Sequence, residues 1–367
     1  MPAFAGCWSA LPRSQVERPL PAIVVAVQMP QATSFDVELA EFEALAEAAG
    51  ARVVDRILQR RDAVDPATLV GSGKASEVAN RAADCGAQLV LVFNDLRPRQ
   101  RKNLERVVPL PIVDRTMLIL DVFARHARSR EGKLQVELAQ LRYRQSNLIG
   151  VGADLSRLGG GIGTRGPGET KLEVDRRRIA ERVAVLNRQL AGVRRQRAVR
   201  RGSDRRDALV ALVGYTNVGK SSLLNALARS DAFVADQPFA TLDPTVRRAY
   251  LAPHTYARIA DTVGFITDLP KDLVNAFRAT LEELRDADVL VHVLDAGNPD
   301  WPRQRAAVEG LLHDLELDRT PRLVVFNKCD LLADEMHEGN GSLCVSARTG
   351  EGLDALRSEL AARTARA

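Results

Sequence analysis

Residues 214–221 read GYTNVGKS, and this stretch constrains the fold of the 367-residue chain more than any other. It satisfies the pattern G-x-x-x-x-G-K-[ST], follows the apolar run ALVALV and opens the helical segment SSLLNALA. In this strand–loop–helix context the glycines let the backbone turn, so that successive N–H groups and the helix N-terminus face a phosphate. Lys220 then reaches the β- and γ-phosphates of a nucleotide, and the Ser221 hydroxyl suits Mg²⁺. The sequence therefore predicts a P-loop domain with a doubly wound, mostly parallel sheet.

The pattern of apolar runs divides the chain into three regions after an N-terminal tail, residues 1–20. Residues 21–114 alternate strand-like runs such as AIVVAV with helical segments, which is typical of a small α/β domain. Residues 115–206 lack strand signals, and leucines at three- and four-residue spacing predict a helical coiled-coil arm around a glycine-rich stretch, residues 159–169. Residues 207–367 resume the α/β pattern. The predicted fold class is α/β, with an antiparallel helical arm between the small domain and the P-loop domain.

Positive charge is concentrated in the arm. The net charge of the chain is +5, but residues 176–206 contain twelve arginines against two acidic residues, so the rest of the chain is mildly acidic. This distribution is typical of a surface that binds nucleic acid, and a solvated helix face is the alternative. Aromatic residues make up only 4% of the chain, which disfavours an RRM-type platform for stacking single-stranded bases.

Several other classes are disfavoured. The four cysteines, at positions 7, 85, 329 and 344, are too far apart for a zinc site or a disulfide framework. No apolar run approaches the ~20 residues of a membrane span. The N-terminus lacks the basic region and long apolar core of a signal peptide. We expect a monomeric cytoplasmic protein with reduced thiols and no membrane span.

A second Gly-Lys pair lies in LVGSGKAS, residues 69–76, but it does not complete a P-loop. Thr68 stands where the pattern requires its first glycine, and Ala75 follows Lys74, so no hydroxyl is available for a metal ion. We interpret this stretch as a turn before a helix. Binding of ATP to the N-terminal domain is the alternative.

Two motifs after the P-loop suit a guanine base. NKCD, residues 327–330, ends the apolar run RLVVF, and Asp330 can accept both N1–H and the exocyclic N2–H₂ of guanine. Asn327 suits guanine N7, the stem of Lys328 can cover the ring, and a backbone N–H in VSAR can meet guanine O6. A helix cap is the alternative role for Asp330.

Two further motifs suit the γ-phosphate and Mg²⁺. In DTVG, residues 261–264, the aspartate can hold Mg²⁺ through water and the glycine N–H can meet the γ-phosphate. PFATLDPT, residues 238–245, contains a threonine that can complete the Mg²⁺ shell only while the γ-phosphate is present. We therefore expect PFATLDPT to be a switch that GTP orders and hydrolysis releases.

In this order, GYTNVGKS, DTVG, NKCD and SAR resemble the translation-factor-related GTPases. PFATLDPT, DTVGFITDLP and GGGIGTRGPGETKLE are similar to segments of the HflX family of ribosome-associated GTPases. The resemblance covers nearly the whole chain beyond the tail. It implies a GTPase that binds the large ribosomal subunit, separates stalled or idle ribosomes under stress, and brings its arm and glycine-rich loop close to ribosomal RNA. The alternatives are an assembly factor for immature large subunits and, disfavoured by the arginine-rich arm, a regulatory switch for protein partners.

Carried over by motif, the resemblance implies catalytic roles for Lys220, Asp261 and Gly264, and Mg²⁺ ligation by Ser221 and Thr241. Thr241 is preferred to Thr245 because the family's switch threonine precedes Leu-x-Pro, as here. One departure is Arg348, where related GTPases often have lysine. The nucleotide-binding residues that the resemblance implies are Gly214, Tyr215, Thr216, Asn217, Val218, Gly219, Lys220 and Ser221; Phe239, Ala240, Thr241, Leu242 and Asp243; Asp261, Thr262, Val263 and Gly264; Asn327, Lys328, Cys329 and Asp330; and Ser346, Ala347 and Arg348.

Two residues bear on the rate of hydrolysis. Phe265 follows DTVG, where many signalling GTPases have a glutamine that orients the attacking water, and phenylalanine cannot do this. We therefore expect slow intrinsic hydrolysis that the ribosome raises. In some relatives an asparagine at the position of Asn217 helps to bind a potassium ion beside the phosphates. The hypothesis for this chain is that Asn217 does the same.

The glycine-rich stretch GGGIGTRGPGE has six glycines in eleven positions and no Lys-Ser/Thr, so it is not a P-loop. Glycine lets a backbone approach a crowded RNA surface closely, and Arg165 can contact a phosphate or stack on a base. We expect the stretch to contact ribosomal RNA, and a plain hinge is the alternative.

Overall fold

The computed structural model describes residues 19–30, 34–156, 171–201, 207–229, 238–239, 245–266, 282–332 and 343–365. Residues 1–18 of the tail, the glycine-rich stretch 159–169 and residues 240–244 of the expected switch lie outside the described residues. The chain forms two compact units. One contains Met1–Arg125 with Leu134–Gln189, and the other contains His126–Lys133 with Leu190–Ala367.

The first unit begins with alternating strands and helices. Their bounds are β1 (Leu20–Gln28), α1 (Phe35–Ala48), β2 (Ala51–Arg60), α2 (Ser72–Asp84), β3 (Leu89–Val92), α3 (Pro98–Val107), β4 (Ile112–Asp114) and α4 (Arg115–His126). The strand order is β2-β1-β3-β4, and the neighbouring strands are parallel. Gly71, with φ +84°, immediately precedes α2, so LVGSGKAS forms a turn into a helix, as predicted.

Helices cover this sheet because its central strands β1 and β3 are apolar on both faces, as is typical of parallel sheets. Ile23 and Val25 of β1 share a core cluster with Val78 of α2. Phe35 and Phe42 of α1 contact the Phe93 ring edge-to-face, with ring centroids 5.5 and 5.7 Å apart. The α/β class predicted for this region is confirmed.

Two long helices follow, α5 (Arg130–Ser156) and α6 (Lys171–Arg201). Leu138 and Leu141 of α5, which are three residues apart, are buried, as are Ile179 and Leu186 of α6. Glu137 pairs with Arg182 at 2.7 Å, and Gln140 of α5 lines the same pocket as Ile179 of α6. Residue numbers therefore rise along one helix as they fall along the other, as in an antiparallel pair.

A buried polar cluster joins α5 to the sheet within the first unit. The Arg101 guanidinium of α3 donates to the Ile112 carbonyl at 2.7 Å and to the Tyr143 hydroxyl at 2.8 Å. The same guanidinium lies 2.5 Å from the Asp114 carboxylate at the end of β4, which also accepts the Tyr143 hydroxyl. Burial raises the pKa of Tyr143, so this hydroxyl remains a donor at neutral pH.

The second unit contains β5 (Ala208–Gly214), α7 (Lys220–Ala228), β6 (Thr245–Ala252), β7 (Thr255–Asp261), a 3₁₀ turn (Glu282–Asp286), β8 (Val289–Asp295), α8 (Trp301–Asp314), β9 (Arg322–Asn327), β10 (Leu343–Cys344) and α9 (Leu353–Thr364). The strand order is β10-β9-β8-β5-β7-β6, with β6 antiparallel to β7 and the other neighbours parallel. The predicted mostly parallel sheet is confirmed. β6 was not predicted, because alternate residues of TVRRAYLA are exposed on this edge strand.

The carboxyl ends of the parallel strands meet at one edge of this sheet. Gly214 ends β5, Asp261 ends β7, Asp295 ends β8 and Asn327 ends β9. In open α/β sheets this edge is where ligands bind. Within the described residues, no helix is long and apolar enough to cross a membrane.

His292 is an unusual residue in the core of the second unit. It lies on β8 between Val213 of β5 and Val324 of β9, and it is fully buried. Neither ring nitrogen has a hydrogen-bond partner among the described residues. Burial therefore disfavours the charged imidazolium and lowers the pKa of His292 to about 4.

We predict that His292 makes the protein less stable in acid. An unfolded histidine titrates near pH 6.5, whereas folded His292 remains neutral until about pH 4. The unfolded state thus takes up the proton first, and stability falls as the pH drops from 6.5 towards 4. Between pH 7.5 and 5 this residue should remove about 2 kcal/mol from the free energy of unfolding. In urea unfolding, the free energy of unfolding of a His292→Leu variant should fall correspondingly less between pH 7.5 and 5. The exposed control His313→Leu should behave as wild type, and equal acid losses in wild type and His292→Leu would refute the prediction.

Candidate nucleotide-binding site

The loop between β5 and α7 can be built only with glycine at two positions. At Gly214 a Cβ atom would lie 2.4 Å from the Val293 carbonyl oxygen of β8. Gly219 has φ +88°, and a Cβ there would lie 2.3 Å from the Asn327 side-chain nitrogen. Both glycines of the motif therefore permit close packing, and α7 begins immediately after the second one. The loop ends at the helix N-terminus, where backbone N–H groups are available to an anion.

Lys220 folds back over this loop. Its Nζ donates to the carbonyl oxygens of Gly214 at 3.1 Å and Tyr215 at 2.7 Å, and the side chain is buried. Burial lowers the pKa of Lys220 to about 8, and the carboxylate of Asp261 opposes this shift. A phosphate beside the ammonium would favour its charged form further.

The side-chain oxygens of Asp261 and Ser221, both hard metal ligands, lie next to each other. The Ser221 hydroxyl donates to Asp261 Oδ2 at 2.5 Å, and the Asp261 side chain is buried. The next residue is anchored to β5, since the Thr262 hydroxyl donates to the Leu212 carbonyl at 2.6 Å. Hydroxyl and carboxylate oxygens are ligands that Mg²⁺ accepts, so this pair fits the ion.

The end of DTVG packs directly against the P-loop. The Thr216 N–H donates to the Phe265 carbonyl at 2.7 Å, and the Phe265 N–H donates to the Gly214 carbonyl at 3.1 Å. A Cβ at Gly264 would lie 2.9 Å from Thr216 Cα, so only glycine fits there. The Phe265 side chain is 2% exposed and belongs to the core.

Asn327 joins the P-loop to the VSAR segment. Its side-chain nitrogen donates to the Val218 carbonyl at 2.9 Å, and its side-chain oxygen accepts the Ala347 N–H at 3.0 Å. Asn327 is fully buried, so both halves of the amide are satisfied without water. One side chain thus sets the distance between the phosphate end and the base end of the site.

Lys328 makes a second link to the P-loop. It has φ +64°, and its Nζ donates to the Asn217 carbonyl at 2.9 Å and pairs with Asp295 at 2.7 Å. Asp295 was missed at the sequence level, although an acid at the end of the apolar run VLVHVLD was a usable signal. The neighbouring Cys329 is buried, and burial raises the pKa of its thiol to about 12.

Asp330 is held ready as a hydrogen-bond acceptor. The Ser346 hydroxyl donates to its Oδ1 at 2.7 Å, and the exposed Arg348 guanidinium lies 2.6 Å from its Oδ2. The Ser346 hydrogen bond, and then the Arg348 charge, lower the pKa of Asp330, so the carboxylate is ionised at neutral pH. Each oxygen keeps acceptor capacity for a further donor.

The structure brings together the described parts of the predicted set. Residues 214–221, 261–264, 327–330 and 346–348 lie at the carboxyl edge of one sheet. Phe239 is buried with φ +57°, whereas Ala240, Thr241, Leu242 and Asp243 lie outside the described residues. The Ser346 N–H donates to the Glu351 carbonyl at 3.0 Å. Contacts of this segment with a guanine O6 stay a prediction.

Family models match the chain in three consecutive parts. The model "GTP-binding GTPase N-terminal" matches residues 36–124, and "GTP-binding GTPase Middle Region" matches residues 126–204. The model "50S ribosome-binding GTPase" matches residues 209–328, which contain the P-loop, DTVG and the first two residues of NKCD.

Among curated proteins, the chain is similar to several that are named GTPase HflX. It is 48% identical to the protein from Caldanaerobacter subterraneus subsp. tengcongensis over 87% of this chain and 75% of that protein. Against the Escherichia coli K12 protein it is 43% identical, over 93% of this chain and 82% of that one. The solved structure of the SsGBP and GDP complex has a TM-score of 0.52, covering 95% of this chain and 99% of that one. Its identity of 22% makes this a likeness of fold alone.

We predict that Gly219→Ala impairs nucleotide binding. The added methyl group would displace the Asn327 amide and would place alanine at φ +88°, where strain costs about 1–3 kcal/mol. Affinity for a fluorescent GTP analogue, measured by titration, should fall roughly ten-fold or more. The control is Gly310→Ala on α8, where a Cβ meets no atom within 4 Å and affinity should not change. Wild-type affinity in Gly219→Ala would contradict this role of the glycine.

Proposed function

The chain belongs to the HflX family of GTPases, and on this premise we propose that it binds the large ribosomal subunit and uses GTP to separate ribosomal subunits under stress. The chain is a P-loop enzyme that binds GTP and GDP and hydrolyses GTP to GDP and phosphate. A cytoplasmic location and a monomeric state belong to the same proposal.

Asp330 supports guanine selection by this site. Its ionised carboxylate presents only acceptors, which suit the N1–H and N2–H₂ donors of guanine and oppose the N1 lone pair of adenine. The Asn327 amide places this acceptor at a set distance from the P-loop. The nucleotide would therefore lie with its base at the end of β9 and its phosphates at the N-terminus of α7.

Mg²⁺ would be held by Ser221 and, in the GTP state, by Thr241, with Asp261 acting through water. The adjacent oxygens of Ser221 and Asp261 support this assignment. When bound, the ion neutralises charge on the β- and γ-phosphates. Lys220 would contribute a second positive charge there, and the Gly264 N–H would bond the γ-phosphate.

Phe265 supports slow hydrolysis by the free protein. Its side chain is packed in the core while its backbone pairs with the P-loop, so it cannot orient a water. A GTPase without such a group depends on an outside group to stabilise the transition state. We propose that the large ribosomal subunit supplies it. Asn217, with φ +62° at the Lys328 contact, is the candidate for binding K⁺ beside the phosphates.

The exposed face of α6 is the observation that carries the ribosomal part of the proposal. Among the side chains of this helix that the structure describes, six arginines are exposed: Arg176, Arg177, Arg178, Arg182, Arg188 and Arg195. Such a concentration of exposed guanidinium groups can replace counterions along an RNA backbone, which makes binding fall steeply with salt. The matching family model, described as "50S ribosome-binding GTPase", points to the same partner.

We predict that large ribosomal subunits stimulate GTP hydrolysis. Phosphate release by the purified protein in potassium buffer should be slow, and added subunits should raise it many-fold because they complete the catalytic site. The K⁺ hypothesis adds that sodium buffer should give less hydrolysis. Fast hydrolysis that subunits do not change would contradict the proposal and favour a switch for protein partners.

We also predict that Gly160→Val with Gly161→Val weakens binding to the large subunit and leaves GTP affinity intact. Bulky side chains would keep the glycine-rich stretch away from RNA. Co-sedimentation with subunits and GTP titration measure the two effects. Gly192→Ala on α6, where a Cβ meets no atom within 4 Å, is the control. Loss of GTP binding would instead assign the stretch to the nucleotide site.

A further inference from the structure

The β6–β7 hairpin of the second unit presents an outward face that the packing of the sheet does not require. Ala249, Leu251, Ala257 and Ile259 of this hairpin are buried in the core. The alternating side chains point the other way, and Val246, Tyr250 and Tyr256 are 50%, 48% and 40% exposed. We call Val246, Arg248, Tyr250, Tyr256 and Arg258 the hairpin face.

The hairpin face contains two tyrosines, a residue type that is scarce in this chain. The whole chain has four tyrosines, and the other two are placed inside their units, Tyr215 in the core and Tyr143 in the buried polar cluster. Tyr250 and Tyr256 are direct partners across the two strands, with ring centroids 5.6 Å apart and ring planes at 71°. A pair of half-exposed aromatic rings offers a stacking surface, and little conformational entropy is lost when a ligand binds to it.

An arginine makes this surface rigid and positive. The Arg248 guanidinium carbon lies 4.1 Å from the centroid of the Tyr256 ring, and its Nε donates to Asp207 at 2.6 Å. Arg258, which pairs with Arg248 across the two strands, adds a second positive charge to the hairpin face, so two arginines accompany the single aspartate of this cluster. The rings are thus held in place beside cations, which is the combination that binds nucleobases and phosphates.

The hairpin also connects this surface to the nucleotide site. Its two strands are paired from Tyr250 with Tyr256 near the turn to Thr245 with Asp261 at the other end. Asp261 is the buried carboxylate beside Ser221, and Thr245 ends the expected switch segment. A ligand bound to the hairpin face would therefore contact two paired strands that lead to the expected switch segment and to DTVG.

We propose that the hairpin face docks on ribosomal RNA, with unstacked bases against Tyr250 and Tyr256 and phosphates near Arg258. This inference rests on the proposed function and names a second RNA contact besides the helical arm. The excess of arginine over acid favours a polyanion such as RNA over an apolar protein surface, which would gain nothing from these charges. The contact also provides a route by which the large subunit stimulates hydrolysis.

The test measures the affinity of a Tyr250→Ala/Tyr256→Ala variant and of the wild type for large ribosomal subunits. A non-hydrolysable GTP analogue is present, and the salt concentration is fixed. Base–aromatic stacking of about 1–3 kcal/mol per base predicts roughly ten-fold or greater weakening, with GTP affinity unchanged. Tyr250→Phe/Tyr256→Phe should bind as wild type, because stacking needs the ring and not the hydroxyl. Val37→Ala, at a position 44% exposed on α1, is the surface control.

A photoreactive benzoylphenylalanine in place of Tyr250 identifies the partner. Crosslinks to ribosomal RNA are expected, whereas crosslinks to a ribosomal protein alone would overturn the assignment to RNA. Unchanged binding by the alanine variant would overturn the hairpin face and leave the proposed function standing. Failure of the wild-type protein itself to bind large subunits would overturn both.

Discussion

The buried amide of Asn327 is the interaction on which the site depends. It donates to the P-loop at Val218 and accepts from the VSAR segment at Ala347, so one side chain spans the phosphate end and the base end. Because the amide is fully buried, losing one partner would leave a polar group unsatisfied at a cost of about 1–3 kcal/mol. Gly219 is required for the same reason, since any side chain there would occupy the position of the amide.

Buried charge is the second constraint. Lys220 at the start of α7 and Asp261 at the end of β7 are both buried. Lys220 donates to backbone carbonyls of the P-loop, and Asp261 accepts the Ser221 hydroxyl. Such groups are costly to bury unless they are paired, so they are found where a ligand uses them. Phosphates and Mg²⁺ are the ligands that these two charges match. The backbone hydrogen bonds of Phe265 to the P-loop then fix the end of DTVG against that loop.

Much of this could be predicted from the sequence, because the relevant signals are local. The P-loop, DTVG, NKCD and VSAR each follow an apolar run, and the parallel sheet brings their ends together. The family resemblance is confirmed by relatives that are 48% and 43% identical. Features that depend on long-range packing were not predictable: the edge strand β6, whose exposed arginines hide its strand pattern, the Arg101–Asp114–Tyr143 cluster, and the pairing of Asp295 with Lys328. The roles of Thr241 and of the glycine-rich stretch stay predictions.

The most direct test of the central claim, a guanine site held together by Asn327, is calorimetric titration of wild type and Asn327→Ala with GTP and with ATP. The account predicts that wild type binds GTP and rejects ATP, and that Asn327→Ala loses roughly ten-fold or more of its GTP affinity while remaining folded. Equal affinity of wild type for GTP and ATP would contradict the role of Asp330. Undiminished GTP affinity in Asn327→Ala would contradict the link between the two ends of the site.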